Sequence, residues 1–139
     1  MILVDTGPIV AVVNDRDNHH QECKHLLERL AGPLLITATV ATEVCLLLER
    51  RRGTYAELAF LSDVRAGRYT LIESLSADLE RVAELVAKYD DLPLGTVDAS
   101  VIALAERLNI TTVVTLDRRD FGIVRPAHVP VLTLLPLTR

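Results

Sequence analysis

Four carboxylates stand where an α/β fold would bring side chains to one edge of its sheet. Asp5 ends the first apolar run of the chain, and Asp117 directly follows the fourth. Glu43 and Asp98 lie in the first turns of two predicted helices. Carboxylates that converge in this way repel one another unless a cation lies among them. Oxygen ligands without a cysteine or histidine cluster favour Mg²⁺ or Mn²⁺, as one ion or two.

Each acid taken singly also fits an ordinary structural role. Asp5 would cap a short helix beginning near Pro8, and Asp117 would serve as a turn residue. Glu43 and Asp98 would complement helix dipoles. All four at one sheet edge instead indicate a divalent-metal hydrolase, in which the ion activates water and stabilises the oxyanions of a phosphodiester displacement.

Other phosphate chemistries match the sequence less well. An aspartyl-phosphate phosphatase needs a second aspartate two residues after the first, where Gly7 stands. A phosphoacceptor signalling domain needs a lysine at a strand end, but Lys24 and Lys88 lie in predicted helices. The chain also has no P-loop and no glycine-rich dinucleotide turn.

The elements that must position the acids are readable from apolar runs. Continuous aliphatic runs predict strands at residues 2–5, 34–37, 69–72, 112–116 and 131–135. Helical patterns lie between them, at residues 8–13, 19–30, 39–52, 55–66 and 96–108, with one further helix capped by Ser76. This alternation indicates an α/β fold, a mostly parallel sheet of about five short strands with helices on both faces.

Ligands bind such sheets outside the carboxyl ends of the strands. Asp5, Glu43 and Asp117 are expected at that edge. The helix that feeds the fourth strand is expected to begin at the opposite edge. Asp98 would then depend on the loop at residues 93–96 to reach the shared site.

Composition limits the class of protein. The 139 residues are 50% hydrophobic, which predicts one domain over 1–139 with an aliphatic core. The longest apolar runs have five residues, too few to cross a membrane. Cys23 and Cys45 are isolated, which predicts free thiols and a cytoplasmic location. Cys23 with His19 and His20 does not match the spacings of zinc sites.

The net charge of −4 by itself argues against a nucleic-acid partner. Without the four acids, however, 15 acidic residues balance 15 basic ones, so the acidic excess is concentrated in the predicted site. The basic residues are nearly all arginine, which suits phosphate contacts. Two groups are candidates for phosphate contact, with a solvated face as the alternative: Arg50, Arg51 and Arg52, and Arg118, Arg119 and Arg125.

One predicted helix carries more apolar surface than a single core can cover. Five consecutive apolar residues at 44–48 encircle the helix at 39–52. Together with Tyr55, Leu58, Phe60 and Leu61 of the next helix, they predict a protein interface. The alternative is a helix that is wholly interior.

Several short motifs in order resemble those of PIN-domain ribonucleases, and most closely the VapC-type toxins of prokaryotic toxin–antitoxin systems. They are Val-Asp-Thr-Gly at 4–7, Thr-Glu at 42–43, Leu-Pro-Leu-Gly at 92–95, Val-Asp-Ala-Ser at 97–100 and Thr-Leu-Asp-Arg-Arg-Asp-Phe at 115–121. The resemblance covers essentially the whole chain. It implies a PIN-like fold and a metal-dependent endoribonuclease acting as a toxin.

The resemblance also implies site residues and partners. Asp5, Glu43 and Asp98 match the metal-site acids of the family, and Asp117 matches its fourth acid. The candidates to support these ligands are Thr6, Thr115 and Asp120. The implied partners are RNA, a VapB-type antitoxin and a second copy of the chain, in a heterotetramer or larger complex. A catalytically silent RNA-binding or interaction module is the alternative, against which the four intact acids argue.

Overall fold

The computed structural model describes residues 1–137 and contains five strands and seven helices there. The strands are β1 (Ile2–Val4), β2 (Leu34–Thr37), β3 (Thr70–Ile72), β4 (Thr112–Val114) and β5 (Thr133–Leu135). The helices are α1 (Thr6–Val13), α2 (His20–Arg29), α3 (Ala38–Arg52), α4 (Thr54–Arg65), α5 (Ser76–Lys88), α6 (Thr96–Leu108) and α7 (Arg118–Ile123). Residues 138–139 lie outside the described residues, so the single domain over 1–139 stays a prediction.

The sheet is parallel throughout, with the strand order β3-β2-β1-β4-β5 and helices on both faces. The chain moves outward from β1 to β3 and then crosses back to place β4 on the other side of β1. This reversal leaves a crevice between the carboxyl ends of β1 and β4, where ligands bind in open α/β sheets. The backbone N–H of Asp5 donates to the Val114 carbonyl at 2.9 Å, which places Asp5 at that crevice.

The expectation that α6 begins at the opposite edge is wrong. A helix that feeds a parallel strand must return the chain to the amino edge, so it begins at the carboxyl edge. Helix α5 brings the chain back to the carboxyl edge before α6 begins. Asp78 near the start of α5 bonds to Arg107 near the end of α6. The two helices therefore run antiparallel, and Asp98 reaches the shared edge from the first turn of α6.

The core is aliphatic, as the composition predicts, and all four residues of β2 are buried. Phe60 is fully buried in this core, so its predicted place in a protein interface is wrong. Within residues 44–48, Val44 and Leu48 are buried, whereas Leu46 is 53% exposed. One face of α3 thus packs inward, and the opposite face reaches the surface.

Three local details differ from the sequence-based expectations. Ser76 is the first residue of α5 and not its cap, because the Asp78 carboxylate accepts the Leu75 N–H instead, at 2.9 Å. Helix α7 has six residues and was not predicted, since so short a segment shows no periodicity. Strand β5 begins at Thr133, two residues later than expected.

Cys23 and Cys45 are free thiols, and burial raises the pKa of Cys23 to about 11. Among residues 1–137, none of the helices has the length and apolar character needed to span a bilayer.

Candidate active site at the carboxyl edge of the sheet

A cleft of about 620 Å³ opens at the carboxyl edge of the sheet. All four acids predicted as metal ligands line it, although they come from four different elements. Asp5 follows β1, Glu43 lies on α3, Asp98 is in the first turn of α6, and Asp117 precedes α7.

Asp5 is the most deeply buried of these acids, with 5% of its surface exposed. It occupies the N-cap position of α1, but its side chain makes no capping hydrogen bond. Its Oδ2 accepts a hydrogen bond from the hydroxyl of Thr115 at 2.8 Å. The same hydroxyl oxygen accepts the backbone N–H of Asp117 at 2.9 Å. The fully buried Thr115 therefore fixes the relative positions of two acids from neighbouring strands.

Asp98, Asp117 and Asp120 form the tightest group, with one carboxylate oxygen from each within 4.8 Å of the others. Asp117 caps α7, because its Oδ1 accepts the backbone N–H of Asp120 at 3.2 Å. Asp117 therefore both caps the turn that begins α7 and lines the cleft. Asp120, predicted to support the ligands, offers a carboxylate oxygen within 4.8 Å of those of Asp98 and Asp117.

Burial and mutual repulsion disfavour the ionised forms of these acids. Desolvation raises the pKa of Asp5 to about 6, against the lowering effect of the Thr115 hydrogen bond, and the charges of Glu43 and Asp117 add to the rise. Desolvation, and then the charges of Asp5 and Asp117, raise the pKa of Asp98 well above its ordinary range. The pKa of Asp120 is raised by desolvation and by Asp117.

These features fit a hard divalent cation. The donors are carboxylate oxygens, and no lysine or arginine makes an ion pair with Asp120 or with any of the four predicted ligands within residues 1–137. The buried hydroxyl of Thr6 at the cleft also has no hydrogen-bond partner there. An oxygen-only donor set of this kind suits Mg²⁺ or Mn²⁺ better than Zn²⁺.

The three consecutive arginines of α3 have different surroundings. Arg51 lines the cleft and is exposed. Arg52 points elsewhere: its Nη1 donates to Asp15 at 2.6 Å and to Asn14 at 2.8 Å. Arg50 is exposed and does not line the cleft.

The arginines near α7 also differ from one another. Arg118 is half-buried and donates from Nη1 to the carbonyls of Leu134 and Pro136. Arg125 donates to the Gly122 carbonyl at 2.8 Å, and Arg119 is exposed.

Two residues of the α1–α2 loop, Asp17 and His19, also line the cleft, and the sequence reasoning did not place them there. Asp17 accepts the backbone N–H of His19 at 2.8 Å. The polar run between α1 and α2 is visible in the sequence, but it does not reveal which way the loop folds.

The fold and site can be compared with known proteins. The PIN domain family matches residues 2–125 of the chain. Ribonuclease VapC26 of Mycobacterium tuberculosis is 31% identical over 135 residues, covering 97% of this chain and all of the relative. The 23S rRNA-specific endonuclease VapC20 of the same species is 30% identical over 118 residues, covering 84% of this chain and 89% of the relative.

Solved structures share the fold. The crystal structure of M. tuberculosis VapC20, described as a Sarcin-Ricin loop cleaving toxin, superposes with a TM-score of 0.77 at 23% identity, covering 81% of this chain and 87% of that one. VapBC2 from Rickettsia felis, bound to a DNA fragment from its promoter, gives a TM-score of 0.66 at 20% identity, covering 96% and 97%.

Proposed function

The chain belongs to the PIN domain family, and on that premise we propose that it is the endoribonuclease toxin of a VapC-type toxin–antitoxin pair. It hydrolyses RNA phosphodiester bonds through a site that holds Mg²⁺ or Mn²⁺. The observation that carries this proposal is the convergence of Asp5, Glu43, Asp98 and Asp117 from four elements into one cleft, without a protein cation paired to them within residues 1–137.

Asp5, Glu43, Asp98 and Asp117 would hold the ion, or two ions, with Asp120 beside them. A bound divalent ion supplies water activation and charge stabilisation at the phosphate. The chain itself supplies rigid ligands, because Thr115 fixes both Asp5 and the backbone of Asp117. Burial and the charges of Asp5 and Asp117 raise the pKa of Asp98, which favours its protonated form when no cation is bound. Cation binding would then be coupled to proton release from this carboxyl group.

The proposed partners are a VapB-type antitoxin and a second copy of the chain. Helices α3 and α4 present four exposed large apolar side chains, Leu46, Tyr55, Leu58 and Leu61, each between 44% and 63% exposed. Apolar surface of this kind on a soluble domain is typical of a protein interface. We expect a partner to cover it in the complex.

The deciding experiment expresses the chain without an antitoxin in a prokaryotic host and maps new RNA 5′ ends. Wild-type protein should arrest growth and produce discrete RNA ends, and Asp98→Ala should do neither. Purified protein should cleave RNA with Mg²⁺ or Mn²⁺ and stop when EDTA is added.

Asp91→Ala is the matched control, because Asp91 is an exposed acid that does not line the cleft. It should behave as wild type. RNA binding without cleavage in the presence of either metal would instead identify a catalytically silent RNA-binding module. Cleavage that persists in both EDTA and Asp98→Ala would exclude the proposed site.

A further inference from the structure

A second groove adjoins the acidic cleft on the side of β5. It measures about 670 Å³, and its walls include His19, Glu22, Leu116, Arg118, Pro136 and Leu137. His19 and Leu116 line both the groove and the cleft, so the two spaces are continuous. A polymer with one phosphate in the cleft would therefore have room for its next unit in this groove.

The groove offers both kinds of surface that a nucleotide needs. Leu116, Pro136 and Leu137 provide apolar contact, and Leu137 is 72% exposed. The guanidinium of Arg118 is anchored through Nη1 to the carbonyls of Leu134 and Pro136. Its Nη2 and Nε donors have no acceptor among the described residues, so they are available to a phosphate. An anchored arginine loses little entropy when it binds one.

Glu22 is the one acid among the groove's lining residues, and its carboxylate lies 3.4 Å from the ring of His19. This contact directs the acid toward the histidine at the junction of groove and cleft. Arg118 is then the charged side chain that faces a ligand farther from His19 in the groove.

Helix α3 contributes Arg51 to the wall of the cleft. Arg51 stands eight residues after Glu43 on α3, with Leu47 between them, and all three side chains line the cleft. Spacings of four residues place side chains on one face of a helix. Arg51 makes no ion pair within residues 1–137, whereas Arg52 is bonded to Asp15. Of the three consecutive arginines, only Arg51 is among the residues that line the cleft.

We infer that the RNA strand lies along the carboxyl edge through the cleft and the groove, in contact with Arg51 and Arg118, with the scissile phosphate at the acids. The nucleotide flanking that phosphate lies in the groove, its own phosphate on Arg118 and its base against Leu116, Pro136 and Leu137. The path rests on the proposed ribonuclease function. It combines the backbone cations and apolar platforms by which proteins hold single-stranded RNA.

The test measures binding of a fluorescent, randomised RNA of about 16 nucleotides to Asp98→Asn protein in Mg²⁺, by fluorescence anisotropy. Arg51→Gln and Arg118→Gln should each weaken binding about 3- to 10-fold and reduce the salt slope by about 0.7 for the lost phosphate contact. The matched controls Arg29→Gln and Arg65→Gln remove the same charge at exposed positions that line neither the cleft nor the groove. They should change binding by less than about twofold. Equal effects in the controls, or unchanged slopes in the test variants, would overturn the path.

Arg118 also donates to the carbonyls of Leu134 and Pro136, so Arg118→Gln could weaken binding by disturbing the fold. A second pair of variants tests the groove without changing Arg118. Leu137→Asp adds a charge at the groove rim, and Val131→Asp adds one at a position that is 52% exposed and outside the groove. Only Leu137→Asp should weaken RNA binding, with thermal melts unchanged in both.

Cleavage by the wild-type chain is measured in parallel to separate two failures. If the wild-type chain cleaves RNA while Arg118→Gln and Leu137→Asp bind like the parent, the path is wrong and the ribonuclease stands. If the wild-type chain neither cleaves nor binds RNA, both proposals fall.

Discussion

Two regions of the molecule contain buried carboxylates, which, among the residues that the structure describes, are paired with arginines in one region and not in the other. Between α5 and α6, Glu106 receives two hydrogen bonds from Arg81, at 2.7 and 2.9 Å, and one from the backbone N–H of Ala127. Asp78 accepts from a single donor, the Nε of Arg107, which lies 3.0 Å from both carboxylate oxygens. In the cleft, Asp5 is as buried as Asp78 but accepts only the Thr115 hydroxyl from a side chain.

The difference appears in the pKa values. The hydrogen bonds and charge of Arg81, with the Ala127 N–H, lower the pKa of Glu106 despite its partial burial. At Asp5, no arginine within residues 1–137 bonds to the carboxylate, and desolvation raises its pKa to about 6. A buried carboxylate that is paired with an arginine can link two helices. A buried carboxylate without such a partner is ionised at a cost, which a bound cation would offset. We therefore assign the α5–α6 pairs to stability, and we propose that the cleft acids bind a cation.

The largest expected effect is on activity. Asp5→Asn should reduce RNA cleavage about 10³-fold, because it removes a ligand charge while its side-chain oxygen still accepts from Thr115. The measurement is the cleavage rate under saturating Mg²⁺, with folding checked by thermal melting. Glu106→Gln should leave the rate per folded molecule unchanged, and a comparable loss in that variant would erase the distinction between the two regions.

Stability should respond in the reverse sense. Glu106→Gln should lower the free energy of unfolding by about 2–3 kcal/mol, since Arg81 loses its buried charged partner and keeps only the exposed Glu84. Urea denaturation in EDTA measures this loss. The double variant Arg81→Met, Glu106→Leu should lose less than the single one, because the guanidinium is then removed together with its buried partner and only the exposed Glu84 is left unpaired. A single-variant loss below that of the double would contradict this account.

The third prediction concerns pH in the absence of divalent ions. The pKa of Asp5 in the folded protein is about 6, above its ordinary value of 3.8, so folding favours its protonated form. This contribution is complete below about pH 4 and is lost as the pH rises through about 6. Relative to Asp5→Asn, the wild type should therefore lose about 2–3 kcal/mol of unfolding free energy between about pH 4 and pH 7 in EDTA.

Urea denaturation across this range measures the difference, and Asp91→Asn is the control that should follow the wild type. Adding Mg²⁺ at neutral pH should restore stability to the wild type more than to Asp5→Asn. If the difference in unfolding free energy between the wild type and Asp5→Asn stays constant with pH, the charge of Asp5 does not destabilise the folded protein.

The smallest expected effect is at Thr115. Thr115→Val keeps the shape but removes the bond to Asp5 and the acceptor for Asp117 N–H, which should cost about 1–2 kcal/mol of stability. Mg²⁺ affinity, measured by calorimetry, should also fall, because two ligands lose their common support. Thr115→Ser should recover the affinity. A Ser variant as weak as the Val variant would mean that the hydroxyl alone is not enough to position the acids.

Much of this site is legible in the sequence, because strand ends and helix starts are local features. Asp5 and Asp117 follow continuous apolar runs, and parallel strands bring such positions to one edge. The direction of α6 is equally determined by that rule, although the sequence-based expectation for Asp98 applied it in the wrong sense. The short helix α7 was missed, and with it the position that brings Asp120 beside Asp117.

The sequence by itself thus determined the kind of elements, the parallel sheet and which acids stand at its carboxyl edge. Only the tertiary structure decided which charges meet. Arg50, Arg51 and Arg52 are equivalent as a run of letters, yet packing gives Arg52 to Asp15 and leaves Arg51 at the cleft. The physical reason is that hydrophobic periodicity reports which face of an element is buried, whereas pairing depends on side chains from segments far apart in the chain. The same reason separates the arginine-paired Glu106 from the unpaired Asp5.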